Sequence, residues 1–146
     1  MFRLAALTIA ALTIAFLAFA GTAAADPCTR IPDRGPMPPE LRPGRTFSGP
    51  VVYVGDGDSL CVETLRGQGG AGWVEVRLAD FYAPELNAPG GRAARQALVD
   101  IAMRRRVSCV AGRRSYDRVV ARCTLNGASL GDLMRRRGVS EGGRGR

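Results

Sequence analysis

The side chains of this 146-residue chain that could perform chemistry are two aspartates on one turn, a glutamate in a loop and two separated arginines. The sequence contains no histidine, so an acid or base must be a carboxylate, Tyr, Cys or backbone group. This absence excludes Ser-His-Asp triads and histidine-bound metal nucleases. The three carboxylates are therefore candidate acids and bases, and the two arginines are candidate cations beside them.

Three segments carry these side chains, and each has an ordinary structural explanation when it is taken alone. Gly55–Ser59 places Asp56 and Asp58 on a sharp turn, but Asp-Gly is favoured in turns for backbone reasons. In Arg77–Glu85 an arginine on a strand precedes Pro-Glu in a loop, and in Ser115–Ala121 an arginine opens a strand. Their joint meaning depends on their order and spacing.

The elements that must position these segments are mostly strands. The β-branched run Pro50–Val54 and the extended run Ser59–Glu63 flank the acidic turn, which predicts a tight hairpin. A glycine-rich loop then leads to an alternating strand, and two short strands follow later in the chain. These three predicted strands are Trp73–Leu78, Val107–Val110 and Val119–Leu125.

Two helices punctuate the second half of the chain. Apolar residues recur on one face between Arg92 and Met103, which predicts an amphipathic helix. Ser129 is a favourable N-cap for a last helix that ends at Gly138. The order β-β-β-α-β-β-α predicts an α+β domain whose five short strands close into a small barrel.

The amino-terminal region predicts export. An apolar stretch ends in small residues at Ala25, so residues 1–25 are predicted to be a signal peptide and the protein to be periplasmic or secreted. An uncleaved membrane anchor is the alternative. Residues 26–45 contain six prolines and are predicted to form an extended leader. A folded domain over residues 46–138 and a flexible basic tail over residues 139–146 complete the predicted organisation.

The four cysteines form an even set, which in an oxidising compartment predicts two disulfides with three possible connectivities. We favour Cys109–Cys123, because these residues flank a predicted hairpin, and Cys28–Cys61, because it would staple the leader to the core. No C-x-x-C pair is present, so a zinc site is not expected.

Taken in order, the segments resemble the staphylococcal nuclease (thermonuclease) family between about Phe47 and Gly138. The family pattern is an Asp-Gly-Asp-Thr/Ser hairpin, an Arg-Leu strand leading to Asp-x-Pro-Glu, a Tyr-Gly-Arg turn and a closing helix before Gly. The resemblance implies a five-stranded OB-fold barrel with two helices, here without the family's additional carboxy-terminal helix. It also implies hydrolysis of DNA and RNA with calcium. The matching segments are Asp56–Ser59, Arg77–Glu85, Tyr116–Arg118 and Leu130–Gly138.

The resemblance assigns roles residue by residue. Asp58 matches the family's calcium-binding aspartate, and the backbone carbonyl of Ala83 matches a second calcium ligand. Arg77 and Arg118 match the two phosphate-binding arginines, and Glu85 matches the general base. Planar guanidinium groups and a divalent ion offset the charge that accumulates on a phosphodiester under attack. Oxygen ligands favour calcium over zinc.

Two departures from the family pattern affect the expected site. Tyr82 occupies the position of a second metal-binding aspartate, and a neutral phenol is a poor calcium ligand. We therefore expect weaker calcium binding, or substitution by Asp80, which lies two residues away on the same side of a strand. Asp117 replaces the glycine before Arg118 and puts an anion beside a phosphate-binding residue.

The net charge is +8 at pH 7, and all 21 basic residues are Arg, so non-specific attraction to polyphosphate is expected. The triplets Arg104–Arg106 and Arg135–Arg137 are predicted to be solvated residues at helix ends, where the dipole favours cations. Two other functional classes stay open. One is an inactive OB-fold module that binds single strands or a protein partner, and the other is a secreted structural or envelope-associated protein.

Overall fold

A computed structural model describes residues 27–142 of the chain. The predicted signal peptide over residues 1–25 and the last four residues of the predicted tail lie outside the described residues. Five strands close into a mixed β-barrel that is accompanied by two helices. The prediction of an α+β fold of the OB type is confirmed at this level. Residues 27–142 contain no helix that is long and apolar enough to cross a membrane.

Five main strands and one very short strand make the sheet, and α1 separates the first three strands from the rest. The strands are β1 (Thr46–Val54), β2 (Ser59–Glu63), β3 (Trp73–Leu78), β4 (Arg106–Ser115), β5 (Arg118–Leu125) and β6 (Ala128–Ser129). The helices are α1 (Gly91–Ala102) and α2 (Leu130–Arg136), with short 3₁₀ turns at Pro39–Leu41 and Gly69–Gly72.

The barrel closes through a parallel contact between β3 and β5. All other neighbours pair antiparallel, in the order β3-β2-β1-β4-β5-β6. The closing register sets Val76 against Val119 and Arg77 against Val120. Alternate residues of each strand point inward, since Val74, Val76 and Leu78 of β3 are fully buried. The intervening residues of β3 therefore lie on the outer face.

The two helices cover the barrel with small and branched apolar side chains. From α1, Ala94 and Leu98 are fully buried in the core. Helix α2 starts as predicted, since Ser129 is its N-cap and the Ser129 hydroxyl accepts a hydrogen bond from the Asp132 amide at 3.3 Å. Within residues 27–142, α2 is the last helix.

The proline-rich leader packs against the barrel. Both predicted disulfides are present, and Cys28–Cys61 joins the leader to β2. Ile31 and Leu41 are buried in the same core cluster as the barrel strands. The leader also contains the 3₁₀ turn at Pro39–Leu41, a short element that tolerates proline in its first position.

The first residues of the predicted tail return toward the barrel. The amide of Gly142 donates a hydrogen bond to the carbonyl of Tyr82 at 3.0 Å. The guanidinium group of Arg135 in α2 lies 2.6 Å from the carboxylate of Glu141. These two contacts hold residues 139–142 against α2 and the segment that follows β3.

Candidate active site

The acidic turn between β1 and β2 is organised by its own polar groups. The amide of Asp58 donates to Asp56 Oδ1 at 2.9 Å, and the amide of Asp56 donates to the Ser59 hydroxyl at 3.2 Å. The hairpin closes through a 3.0 Å hydrogen bond from the Gly55 amide to the Ser59 carbonyl. Asp58 is only 6% exposed. The turn therefore holds one carboxylate in a nearly buried position.

The acidic turn is packed against the segment that follows β3. Asp58 Oδ2 accepts a hydrogen bond from the Ala83 amide at 3.0 Å. A Cβ added to Gly57 would lie 2.5 Å from the Ala83 Cβ and 2.6 Å from the Ala94 Cβ. The close approach therefore requires glycine at this position. Two residues that the resemblance assigns to calcium, Asp58 and Ala83, are in direct contact through this packing.

The environment of Asp58 opposes its negative charge. Burial is the main cause and the charge of Asp56 adds to it, and together they raise the pKa of Asp58 from 3.8 to about 7. Two groups act in the other direction: the guanidinium group of Arg77, with Nη2 3.8 Å from Asp58 Oδ2, and the Ala83 amide. These two groups leave the ionised carboxylate only partly compensated, so a nearby cation would stabilise it.

Both predicted phosphate-binding arginines lie on the outer face of the barrel, on the paired strands β3 and β5. Arg77 aligns with Val120, so the register places Arg118 close to Glu75, two residues before Arg77. Arg118 Nη1 is 4.0 Å from Glu75 Oε1, and the arginine side chains are 22% and 24% exposed for Arg77 and Arg118. The contact Asp58–Arg77 joins the acidic turn to β3, and the contact Arg118–Glu75 joins β5 to β3, so the two lie side by side.

Glu75 is the charged residue of this face that the sequence analysis missed. It is 8% exposed, although it lies on the outer side of β3. The signal was available, because a residue two positions before Arg77 in a strand must lie on the same face. The Glu75 carboxylate lies at ion-pair distance from Arg118, so Glu75 is a candidate positioning residue.

Glu85, the predicted general base, lies in the loop that links β3 to α1. Its carbonyl accepts a hydrogen bond from the Ala88 amide at 2.8 Å, which forms a turn just before α1. The Glu85 side chain is exposed, and across residues 27–142 its carboxylate makes no hydrogen bond or ion pair. Ala83 contacts Asp58 in the acidic turn, and Glu85 lies two residues after Ala83 in the chain.

Asp80, the predicted substitute ligand, contacts α2 and β5. Its Oδ2 accepts a hydrogen bond from the Ser129 hydroxyl and lies 3.7 Å from Arg122 Nη2. A Cβ on Gly131 would meet the Asp80 carbonyl at 2.7 Å, so α2 begins directly against this residue. These contacts give Asp80 a structural explanation at the start of α2. A metal-binding role for Asp80 stays a prediction.

The oxygen donors near the acidic turn fit a weakly held hard cation. Residues 27–142 contain no cluster of three or more Asp, Glu, His or Cys side chains that could hold a metal. Asp58 supplies one desolvated carboxylate, with Asp56 next to it in the turn, and the Ala83 amide that donates to Asp58 places the Ala83 backbone beside it. Calcium accepts carboxylate, carbonyl and water oxygens in flexible arrangements, and few protein charges give low affinity.

Comparison of the chain with protein-family models and with curated proteins found no match. Asp58, Ala83, Arg77 and Arg118 form one neighbourhood, joined by Glu75, while Asp80 is engaged with α2.

Proposed function

We propose that the protein is an exported phosphodiesterase of the staphylococcal nuclease type that hydrolyses DNA and RNA with the help of calcium. The observation that carries the proposal is the chain of contacts from Ala83 through Asp58 to Arg77. Arg118 lies on the next strand of the same outer face. This arrangement combines two guanidinium groups with a partly compensated carboxylate.

In this proposal the two arginines bind the phosphate. A guanidinium group donates paired hydrogen bonds to phosphate oxygens, and its charge persists at every relevant pH. Arg77 and Arg118 lie on hydrogen-bonded strands, so the backbone that carries them is fixed, and their charges would offset the charge that develops on the phosphorus oxygens. Glu75 would hold Arg118 in place between turnovers.

Asp58 would hold the divalent cation, and the Ala83 backbone would supply a further oxygen. When bound, calcium adds positive charge beside the scissile phosphate and polarises it. Glu85 would orient or deprotonate the attacking water from the loop next to Ala83. Exposure of the Glu85 side chain leaves it accessible to solvent and to an extended substrate.

A binding module without catalysis is the second candidate, and one observation favours it. Tyr82 stands where the family pattern has an acidic ligand, so Asp58 lacks the second carboxylate that the pattern supplies on this segment. OB-type barrels bind oligonucleotides on their strand surfaces. Arg77 and Arg118 would serve such binding without hydrolysis.

Two disulfides among the described residues indicate an oxidising extracellular or periplasmic environment. We propose that residues 1–25 act as a signal peptide that directs the chain there. A nuclease in such a compartment would meet nucleic acid from outside the cytosol.

Cleavage of single-stranded DNA by the purified protein, with calcium or with a chelator, tests the proposed function. We expect calcium-dependent cleavage that Arg118→Ala lowers about 10²–10³-fold, because one charge-stabilising donor is lost. Glu85→Gln should also lower the rate. The matched control is Arg113→Ala, which removes the same charge from an exposed position of β4 and should retain the wild-type rate.

Two outcomes would contradict the nuclease. Equal degradation by the wild-type and all variant preparations would indicate a contaminant. Retained DNA binding with no cleavage in calcium would favour the binding module, and loss of that binding in Arg118→Ala would place it at the same face.

A further inference from the structure

A second basic surface lies at the end of β2 that is remote from the acidic turn. There, Arg66, Arg104 and Arg106 line a groove of about 460 Å³ together with Ser48, Glu63 and Thr64. We call it the arginine groove. Ser59 is at the candidate-site end of β2 and Glu63 is at the groove end, so the two regions are about 13 Å apart along the strand.

The backbone that presents two of these arginines is fixed to β1. Helix α1 ends at Ala102 with Met103 as its C-cap, so Arg104–Arg106 directly follow the helix end at which the sequence predicts them. The Arg104 amide donates to the Val51 carbonyl at 2.8 Å, and the Val51 amide donates to the Arg105 carbonyl at 2.9 Å. Arg104 adopts φ 62°, in the left-handed region, within this tightly bonded segment.

Ion pairing distinguishes the arginine groove from the triplet Arg135–Arg137. In that triplet, Arg135 pairs with Asp132 and Glu141, and Arg137 pairs with Asp100. The three groove arginines, in contrast, make no ion pair with any residue between 27 and 142. The exposed side chains of Arg66, Arg104 and Arg106 therefore keep their positive charge available, with Glu63 as the acid that lines the groove.

We infer that the arginine groove binds the phosphodiester backbone of a single-stranded nucleic acid outside the candidate active site. Three exposed guanidinium groups that line one groove offer charge-assisted hydrogen bonds to the phosphates of one strand, and the Ser48 hydroxyl adds a neutral hydrogen-bonding group. The inference rests on the proposed function and deepens it. A nucleic-acid strand that contacts both the candidate active site and the arginine groove would make this protein prefer polymers to short phosphodiesters.

Binding measurements in a chelator test the groove without requiring cleavage. Fluorescence anisotropy of a labelled 30-nucleotide single strand is recorded over a range of salt concentrations. For Arg104→Gln/Arg106→Gln we expect at least several-fold weaker binding at low salt. The slope of log affinity against log salt should decrease by about 1.4, since each lost single-strand phosphate contact contributes about 0.7.

Two further variants sharpen the measurement. The double variant Arg136→Gln/Arg137→Gln removes the same charge from the other triplet and should leave the slope near that of the wild type. Glu63→Gln removes the acid that lines the groove and should tighten binding. All exchanged side chains are at least partly exposed, and thermal unfolding checks that each variant is folded.

Two results would contradict binding of single-stranded nucleic acid in the arginine groove. Equal losses in both double variants would mean that net charge alone attracts DNA. If Arg104→Gln/Arg106→Gln lost binding to phosphatidylserine vesicles and kept DNA binding, the surface would be a lipid contact.

Measurements of hydrolysis show whether the inference about the groove or the proposed nuclease function is wrong. With bis(p-nitrophenyl) phosphate as a small substrate, the groove variant should retain the wild-type rate, while its KM for long single strands should rise. If no hydrolysis occurs but the anisotropy results are as expected, the proposed nuclease activity is wrong and nucleic-acid binding by the arginine groove stands. Normal hydrolysis with wild-type anisotropy in the groove variant would reject the groove alone.

Discussion

At the scale of single residues, Asp58 experiences a conflict between packing and charge. It is 6% exposed and adjacent to Asp56, while its favourable contacts are one amide and one arginine. A side chain placed in this way weakens the fold when it is ionised. Such a cost is typical of sites where ligand binding, rather than stability, determines the residue.

Asp58→Asn should change how stability depends on pH. The pKa of Asp58 is raised from 3.8 to about 7, so between these values the unfolded chain ionises while the folded chain keeps the proton. The contribution of Asp58 to stability is therefore present at low pH and is lost as pH rises toward 7. Asparagine does not titrate and can still accept the hydrogen bond from Ala83.

Urea unfolding of the wild type and Asp58→Asn between pH 4 and pH 8, in a chelator, measures this effect. The stability difference should shift in favour of the variant as pH rises and then level off. Added calcium should stabilise the wild type more than the variant. Parallel stability curves over the whole range would show that Asp58 titrates normally.

The separate groups of the site were predictable from the sequence, and some of their partners were not. Motif and order along the chain identify Asp58, Arg77 and Arg118 as candidate site residues. The structure places these three residues close together. Glu75 was missed because no motif contains it, although strand alternation would have placed it beside Arg77. The contacts of Asp80 with α2 depend on packing between distant segments, which a local pattern does not encode.

At the scale of elements, the acidic turn depends on how closely it meets the loop after β3 and helix α1. Gly57 provides this closeness, because its neighbours are the Cβ atoms of Ala83 and Ala94. Both atoms are attached directly to backbone and cannot move aside alone. The position of Asp58 relative to Ala83 is therefore set by the packing of three elements.

Gly57→Ala should separate the turn from the loop. The added methyl group would lie 2.5 Å from the Ala83 Cβ, so we expect a loss of about 1–3 kcal/mol in the free energy of unfolding. Calcium-dependent cleavage should fall more than stability explains. Gly142→Ala, whose added carbon meets Pro84 at 3.6 Å, is the matched control. Unfolding and cleavage assays equal to those of the control would refute the packing argument.

The order of the elements was predictable, while the length of β4 was not. The predicted strand stopped at Val110, whereas β4 continues to Ser115. The extension runs through Ala, Gly and Arg, which have little strand preference of their own. Pairing with β5 overrides that preference, and the hairpin closes at Tyr116 in the left-handed region with φ 59°.

At the scale of the whole molecule, a small barrel is held by two covalent links of different span. Cys109–Cys123 joins the neighbouring strands β4 and β5, while Cys28–Cys61 joins the leader to β2. Their pairing was predictable, because one pair flanks a hairpin and the other pair is what remains. Burial of Ile31 and Leu41 was not predictable, since prolines dominate the leader's local pattern.

Removing the two disulfides separately should give different results. Cys28→Ser/Cys61→Ser opens a span of 33 residues and should cost about 4 kcal/mol, against about 3 kcal/mol for the 14-residue span of Cys109→Ser/Cys123→Ser. Thermal unfolding measures both losses. Limited trypsin digestion should cut the exposed Arg34 faster in the first variant only. Equal cleavage of the leader in both variants would show that its apolar contacts suffice.

The hydrogen bond from Gly142 to Tyr82 has a practical consequence for work with this protein. A peptide fused directly after Gly142 would begin next to the loop that carries Ala83 and Glu85. A polyhistidine affinity tag fused there would bring imidazoles to a chain that has none, and these would capture added metal ions. Apparent metal requirements are best compared between tagged and protease-trimmed preparations.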